Sequence, residues 1–170
     1  MKVLLIRHAI AESREVFQKT GKSDDLRPLT ARGRKRMRQN SRGIIEIVSS
    51  LDLLVTSPLL RAQQTAEIIK EKFKKVNIET IGELKPESPL EMTLAFIKKQ
   101  KGGDTVAFIG HEPQLGELAT FLLTGQKTSF LAFKKGGICL LEFLEKVDKG
   151  RANLICFTPP SQLRKIAKAG

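Results

Sequence analysis

Short apolar runs alternate along the chain with longer segments in which apolar residues recur every three or four positions. The clearest run, residues 2–7, is continuously apolar up to a charged exit, which is typical of a strand buried on both faces of a sheet. Comparable runs lie at 51–56, 76–81 and 104–109, and the segments with helical spacing are 30–50, 57–73, 90–99 and 114–123. Strands that alternate with helices predict a three-layer α/β fold with a largely parallel sheet flanked by helices.

Two regions depart from this alternation. Residues 8–29 show neither helical spacing nor the alternation of apolar and polar residues that marks a strand. They contain turn-forming glycine, aspartate and proline, so they predict a long and functional loop. Residues 138–144 and 152–157 flank a charged turn, which predicts an antiparallel strand pair near the C-terminus. We expect residues 1–158 to form one domain and residues 159–170 to form a basic, loosely held C-terminal tail.

Polar residues at two positions mark where helices should start. Thr30 precedes the first helical segment and is a suitable N-cap. Ser57 and Pro58 combine an N-cap residue with a first-turn proline, which predicts that the next helix starts there abruptly.

The length of 170 residues and the hydrophobic content of 41% fit one core. No apolar segment approaches the roughly 20 residues that cross a bilayer, and residues 1–10 lack the pattern of a secretion signal, so we expect a cytoplasmic protein that does not enter membranes. Cys139 and Cys156 lie on the two C-terminal apolar runs, and thiols are expected there rather than a disulfide. Neither histidine lies near a cysteine, so no zinc site is expected.

Positive charge is in excess, with 30 lysines and arginines against 18 acidic residues and a formal net charge of +12. This charge attracts anions over long distances, whether phosphate, acidic protein surfaces or nucleic acid. Proteins that bind single-stranded nucleic acid usually add aromatic side chains on which bases stack, and this sequence has no tryptophan or tyrosine. Most of the charge is therefore expected on solvated helix faces, and nucleic acid is not the expected partner.

Three polar clusters each follow a predicted strand directly. They are Arg7-His8-Ala9, the segment from Ser57 to Ala66, and Gly110-His111-Glu112-Pro113. Ligands of open α/β sheets bind at the edge where the C-terminal ends of the strands meet, so the clusters should converge. Both histidines of the chain lie in them, together with Arg7 and Arg61. Burying so much basic character is costly unless an anion binds, so the sequence predicts an anion-binding active site.

In order and spacing, these clusters resemble the signature of the histidine phosphatase, or phosphoglycerate mutase-like, superfamily. Arg7-His8-Ala9 resembles its Arg-His-Gly tripeptide, Ser57 to Ala66 resembles Ser-Pro-x-x-Arg-Ala-x-Gln-Thr-Ala, and Gly110-His111 resembles its second catalytic histidine. The Leu26-Arg27-Pro28-Leu29-Thr30 segment with Gly33 is similar to the small bacterial phosphohistidine phosphatases of the SixA type. The resemblance covers residues 1–157. One departure is Ala9 in place of the commoner glycine, which matters only if a positive φ is required.

The resemblance implies a metal-independent phosphatase without a cofactor, in which His8 takes up the phosphoryl group. Arg7, Arg61 and His111 are implied to surround the phosphoryl oxygens, since guanidinium groups supply paired donors that lysine cannot reproduce. His8 must attack as a neutral imidazole, and nearby cations are expected to lower its pKa. Its other ring nitrogen is expected to donate to a backbone carbonyl, which fixes the tautomer.

The resemblance leaves other roles open. Ser57 and Arg27 are candidates for substrate binding, Ser57 chiefly as a cap of a helix whose N-terminus faces the anion. Three glutamates are candidates for the acid that protonates the leaving group: Glu83 resembles the acid of mutase-like members in position, Glu112 follows the second histidine, and Glu12 lies near His8 along the chain. Glu83 is our prediction. A leaving imidazole, with a pKa near about 6.5, hardly needs an acid.

Substrate size is predicted from the loops, because only residues 10–29 and 82–89 could form a lid. An open, basic site suits a phosphorylated protein, and the resemblance makes this phosphohistidine on a phosphotransfer domain in bacterial signal transduction. Inorganic phosphate or another oxyanion should also bind. One alternative is a small-molecule phosphomonoesterase of the same superfamily. The other is a non-enzymatic module that binds nucleic acid or an anionic surface through the basic residues 30–50 and the tail.

Overall fold

Six strands form one sheet in the computed structural model, which describes residues 1–169. They are β1 (Lys2–Arg7), β2 (Leu53–Thr56), β3 (Asn77–Thr80), β4 (Thr105–Gly110), β5 (Ile138–Glu142) and β6 (Asn153–Thr158). Their order across the sheet is β3-β2-β4-β1-β5-β6. β1 to β4 run parallel to one another, whereas β5 and β6 pair antiparallel with their neighbours. The predicted α/β class, with its antiparallel pair near the C-terminus, is confirmed.

Six helices accompany this sheet between residues 1 and 169. They are α1 (Arg14–Gln18), α2 (Ala31–Ile47), α3 (Leu60–Lys70), α4 (Leu90–Lys98), α5 (Gln114–Thr124) and α6 (Pro160–Ala169). Met37, Ile69 and Leu163 pack α2, α3 and α6 into the core on one face of the sheet. Leu94 and Leu118 pack α4 and α5 into the core on the other face, which confirms the three layers. None of the helices in this range has the length and apolar character needed to cross a bilayer.

The central strand β1 is buried on both faces because its residues are apolar on both. Val3, Leu4, Leu5 and Ile6 are fully buried. Leu4 and Ile6 join the core beneath α2, while Val3 and Leu5 join the core beneath α5. Burying side chains of this size stabilises the fold by about 1.5–3 kcal/mol each. The burial fixes β1 in the sheet, and so fixes the polar residues that follow its C-terminal end.

The loop predicted over residues 8–29 contains two short helical segments, so that prediction is partly wrong. Ser13 caps α1 by accepting the backbone N–H of Val16, and Phe17 is buried beneath the helix. A 3₁₀ turn at Asp24–Leu26 follows. Helices of five and three residues are too short to produce a readable period in a sequence.

The C-terminal segment forms a helix, so the prediction of a loosely held tail is wrong. Leu163 of α6 is fully buried against α2. The two helices approach closely at Gly43, where a Cβ atom would lie 2.0 Å from the carbonyl oxygen of Leu163. Arg164 Nη1 also donates to Asn40 Oδ1 at 3.0 Å. The many lysines and arginines of α6 conceal its short apolar stripe in the sequence.

The two cysteines are free thiols, as expected. They lie on neighbouring strands, but Cys156 pairs with Leu140 rather than with Cys139. Since successive side chains of a strand point to opposite faces, the two thiols face opposite cores. Burial raises the pKa of the Cys139 thiol to about 12.

Candidate active site

The C-terminal ends of β1, β2 and β4 bring the three polar clusters together. The backbone N–H of His8 donates to the Gly110 carbonyl at 3.1 Å, and that of Ser57 donates to the Ile109 carbonyl at 3.0 Å. The chain segments that leave these strands therefore stay side by side. Between them lies a pocket of about 840 Å³. Five residues predicted from the sequence line it: Arg7, His8, Arg27, Arg61 and His111.

His8 and His111 lie next to each other and are nearly buried, with 5% and 3% of their surface exposed. Their ring centroids are 5.0 Å apart and the rings are tilted by 53°. His8 Nδ1 lies 2.7 Å from the carbonyl oxygen of Ala9. Because a carbonyl only accepts hydrogen bonds, Nδ1 carries the proton and donates, as expected from the sequence. The lone pair of His8 is then on Nε2, where a nucleophile needs it.

His111 is held by Ser57, whose Oγ lies 2.9 Å from His111 Nε2. His111 Nδ1 is buried and has no hydrogen-bond partner among residues 1–169. In the tautomer that accepts the Ser57 hydroxyl at Nε2, Nδ1 carries the proton and can donate to an anion. Ser57 itself is fully buried and does not line the pocket. It is not the predicted helix cap either, because α3 begins at Leu60 with Leu59 at the cap position.

Both histidines titrate far below their usual range. The pKa of His8 falls to about 2, first because of burial and then because of His111, Arg61 and Arg7, while the bond to Ala9 opposes the shift. Burial also lowers the pKa of His111 to about 3, with further contributions from nearby arginines. The sequence predicted the direction from neighbouring cations, but burial is the larger cause. The His8 imidazole is therefore neutral, and so nucleophilic, before an anion arrives.

Buried neutral histidines should make the protein lose stability in acid. Between about pH 3 and pH 6.5 the unfolded chain binds a proton at each histidine that the folded chain does not bind, so stability rises with pH in this window. Each histidine contributes a slope of about 1.4 kcal/mol per pH unit. Denaturant unfolding at several pH values, without phosphate, should show a slope smaller by that amount in His8→Gln. Equal slopes in wild type and variant would contradict the shift.

Asp24 organises the arginines, a role that was not predicted from the sequence. Its Oδ1 accepts a bond from Arg27 Nε at 2.7 Å, and its Oδ2 lies 3.2 Å from Arg61 Nη1. The Asp24 carbonyl also accepts from Arg61 Nη1 at 2.9 Å. The hydrogen bond from Arg27 is the main reason that the pKa of Asp24 is lowered, so its carboxylate stays ionised. In the sequence, Asp24 was marked only by its place two residues before the Leu26 to Thr30 segment.

Arg7 is positioned by the segment that precedes β5. Its Nη1 donates to the carbonyl oxygen of Phe133. The Nε atoms of Arg7 and Arg61 are buried without a hydrogen-bond partner among the described residues. Each guanidinium carries five N–H donors, so the protein contacts leave donors over for a bound anion. Burial lowers the pKa of both arginines, and an anion in the pocket would offset that cost.

Thr65 connects α3 to the segment after β1. Its hydroxyl accepts the backbone N–H of Ala9 at 3.1 Å and donates to the carbonyl of Arg61 at 2.7 Å. No residue other than glycine has a positive φ in the part of the chain that the structure describes. Alanine at position 9 therefore causes no backbone strain. Thr65 belongs to the cluster from Ser57 to Ala66, but its contact with Ala9 could not be predicted from that segment alone.

The structure does not bring Glu83, the predicted acid, into the pocket. Glu83 lies in the 3₁₀ turn Gly82–Leu84, where its carbonyl accepts bonds from Thr93 Oγ1 at 2.9 Å and Gln114 Nε2 at 3.0 Å. The other two candidates, Glu12 and Glu112, do line the pocket. The position of Glu83 therefore does not support its predicted role.

Four arginines and two lysines line the pocket and supply its positive charge: Arg7, Arg14, Arg27, Arg61, Lys85 and Lys135. Within residues 1–169, no three histidine, cysteine, aspartate or glutamate side chains are grouped as metal ligands would be. The expectation that the reaction needs no metal stays a prediction, and a chelator tests it below.

Sequence comparison relates this chain to a protein family and to an individual protein of similar length. A model of the histidine phosphatase superfamily (branch 1) matches residues 3–87, half of the chain. An uncharacterised protein of Picosynechococcus sp. is 31% identical over 140 residues, which cover 81% of this chain and 82% of that protein.

Structural comparison finds the same architecture in solved phosphatases. The protein histidine phosphatase SixA, solved in complex with tungstate, superimposes with a TM-score of 0.80 at 24% identity, covering 96% of this chain and 99% of SixA. The alpha-ribazole phosphatase of Shigella flexneri superimposes with a TM-score of 0.72 at 19% identity, covering 94% and 97%. At these identities the likeness shows a shared fold.

Proposed function

This chain belongs to the histidine phosphatase superfamily, and we propose that it removes the phosphoryl group from phosphohistidine on a protein. The observation that carries the proposal is the state of His8: its Nδ1 is bonded to a carbonyl, so Nε2 is a free nucleophile. It lies in a pocket lined by four arginines, Arg7, Arg14, Arg27 and Arg61. We also propose that the protein is cytoplasmic and that its substrate is a phosphotransfer domain in bacterial signal transduction.

In the first step, His8 Nε2 attacks the phosphorus atom in line with the leaving imidazole. The N–P bond to His8 forms as the N–P bond of the substrate breaks, and the released imidazole takes a proton from solvent. Arg7 and Arg61 neutralise the charge on the non-bridging oxygens, and the neutral His111 ring can donate a hydrogen bond to one of them. A leaving imidazole with a pKa near about 6.5 departs without a strong acid from the protein.

In the second step, water attacks the phosphorus atom of phosphorylated His8. The O–P bond forms, the Nε2–P bond breaks, and the proton of the water passes to solvent, so inorganic phosphate and neutral His8 are produced. Burial favours the neutral ring and therefore makes it a good leaving group, although the bond from Nδ1 to Ala9 acts in the opposite direction.

The dimensions and charge of the pocket support a protein substrate. Its volume of about 840 Å³ exceeds what a phosphoryl group and one imidazole need. Exposed cations at the rim, which would attract an acidic protein surface, are Arg14, Lys85 and Lys135.

The direct test compares phosphate release from a phosphohistidine-bearing phosphotransfer protein and from 4-nitrophenyl phosphate, both in EDTA. We expect kcat/KM to be at least about 10²-fold higher for the protein, because contacts outside the reacting group stabilise its transition state. Activity lost in EDTA would contradict metal independence. Turnover of the small ester without turnover of the protein would contradict the substrate.

That last outcome would favour a small-molecule phosphomonoesterase. The likeness to alpha-ribazole phosphatase is the observation in favour of this second candidate. A non-enzymatic nucleic-acid binding module would instead show steeply salt-dependent binding of DNA or RNA that survives the change His8→Gln.

A further inference from the structure

A second basic cavity lies in the groove between α2 and α6 and shares no lining residue with the His8 pocket. Its volume is about 350 Å³. Four cations and two neutral hydrogen-bonding side chains line it: Arg42, Arg164, Lys165, Lys168, Gln39 and Ser161. We propose that this groove binds a linear chain of phosphates, such as inorganic triphosphate or the triphosphate of a nucleotide. The inference goes beyond the proposed reaction and does not depend on the role of His8.

Helical spacing places the cations of α6 on one side of that helix. Arg164, Lys165 and Lys168 follow Ser161 by three, four and seven positions, so the four residues share a face. Arg42 lines the groove from α2. Between Ser161 and Lys168 the helix rises by about 10 Å, so the positive charge extends along the groove. A single phosphate ion is too short to contact all of it, whereas a chain of phosphates is long enough.

The positive charge of the groove is not neutralised within residues 1–169. Among these residues no carboxyl group lines the groove, and none of its four cations forms an ion pair. Arg164 is half-buried, and its pKa is lowered first by burial and then by the charge of Arg36. A bound polyanion would relieve this repulsion, so the groove favours a negatively charged ligand.

Buried contacts hold both walls of the groove in place. Leu163 of α6 is fully buried, and a Cβ atom at Gly43 of α2 would lie 2.0 Å from its carbonyl oxygen. Arg164 Nη1 donates to Oδ1 of Asn40, which is only 2% exposed. Because a guanidinium has five N–H donors, this bond leaves donors for an anion. A side chain that is already held loses less conformational entropy when a ligand binds.

The chemistry and shape of the groove favour a phosphate chain over other polyanions. Guanidinium groups donate to phosphoryl oxygens in pairs, and lysines add compact point charges. The first turn of α6, which contains Ser161, adds the partial positive charge of a helix N-terminus at one end. No aromatic residue lines the groove within residues 1–169, so the bases of a single-stranded nucleic acid would have no surface on which to stack. A narrow chain also fits a concave groove better than the convex surface of an acidic protein does.

The test is a titration of the wild-type protein with inorganic triphosphate at low ionic strength, followed by its backbone amide signals in NMR. These signals distinguish the two cavities, because each cavity has its own amides. Triphosphate should shift the amides of Arg42, Ser161 and Arg164. Orthophosphate should shift the amides beside His8 and leave those of the groove nearly unchanged. Added salt should weaken binding at the groove, because its charges are accessible to solvent ions.

A double variant, Arg42→Ala with Lys165→Ala, should weaken triphosphate binding at the groove by at least about 10-fold, because hydrogen bonds to charged groups are lost. Its kcat/KM on 4-nitrophenyl phosphate should equal that of the wild type, since neither residue lines the His8 pocket. The matched control, Arg151→Ala with Lys101→Ala, removes the same charge at exposed positions outside both cavities. This control should bind triphosphate as the wild type does, and thermal unfolding checks that both variants are folded.

Triphosphate that shifted only the amides beside His8 would overturn the inference. So would an equal loss of groove binding in the two double variants, because general attraction to a basic protein would then be sufficient. Tighter binding of poly-glutamate or of duplex DNA at the groove amides would overturn the ligand class, in favour of an acidic protein or of nucleic acid. Failure of the proposed function has a different signature, which is inactivity on the phosphohistidine protein while triphosphate still shifts the groove amides.

Discussion

Replacing His8 with glutamine should lower phosphate release from every substrate by at least about 10³-fold. Glutamine is polar and of similar reach, but it has no ring nitrogen that can form a bond to phosphorus. The hydrogen bond from Nδ1 to the Ala9 carbonyl fixes the tautomer of His8 and leaves Nε2 free to bond to phosphorus. Steady-state phosphate release measures the loss.

A matched variant, His111→Gln, distinguishes a nucleophile from a ligand of the phosphoryl group. It should retain measurable turnover, because Arg7 and Arg61 still neutralise charge when one donor is lost. If His111→Gln abolished activity while His8→Gln kept it, the assignment of the nucleophile would have to be exchanged between the two rings.

Replacing Arg61 with lysine should cost about 10²–10³-fold in kcat/KM, although the charge is kept. Arg61 is only 3% exposed, and its Nη1 contacts both the carbonyl oxygen and the carboxylate of Asp24. The planar guanidinium can keep those contacts with one nitrogen and donate to an anion with the others. A lysine ammonium has a single nitrogen and cannot reach Asp24 and the anion at the same time. Steady-state kinetics on 4-nitrophenyl phosphate measure the effect.

The control for this change is Arg38→Lys. Arg38 forms an exposed ion pair with Glu71 at 3.1 Å, outside the pocket, so the same substitution there should leave kcat/KM unchanged. If Arg61→Lys behaved like Arg38→Lys, the paired geometry of the guanidinium would be irrelevant to catalysis.

The sequence predicted the parts of this protein that depend on local pattern. Apolar runs identified the strands, because a strand such as β1 needs apolar residues on both faces. The ends of those strands then identified where His8 and His111 lie, since parallel strands end at the same edge of a sheet. Thr30 was also recognised as the cap of α2, and its hydroxyl accepts the Gly33 N–H at 2.9 Å.

Contacts between distant segments could not be predicted in the same way. Asn40 Nδ2 donates to the Gly136 carbonyl at 3.1 Å, and the Gly136 N–H donates to the carbonyl of Arg7 at 3.0 Å. Neither bond has a local signature, yet together they connect α2 to the end of β1. The same reason explains why Asp24 was missed and why Glu83, outside the pocket, was preferred to Glu12 and Glu112, which line it. Only the folded chain shows which carboxyl groups reach the pocket.

The most direct test of the account is to trap the phosphorylated enzyme. Wild-type protein mixed with a radiolabelled phosphohistidine protein is quenched rapidly in alkali, in which phosphohistidine survives, and the labelled residue is mapped by peptide analysis. We predict up to one phosphoryl group per molecule, on His8, with no label in His8→Gln. Turnover with no label on His8 at any quench time, or label on another side chain, would contradict the covalent mechanism on which the rest of the account depends.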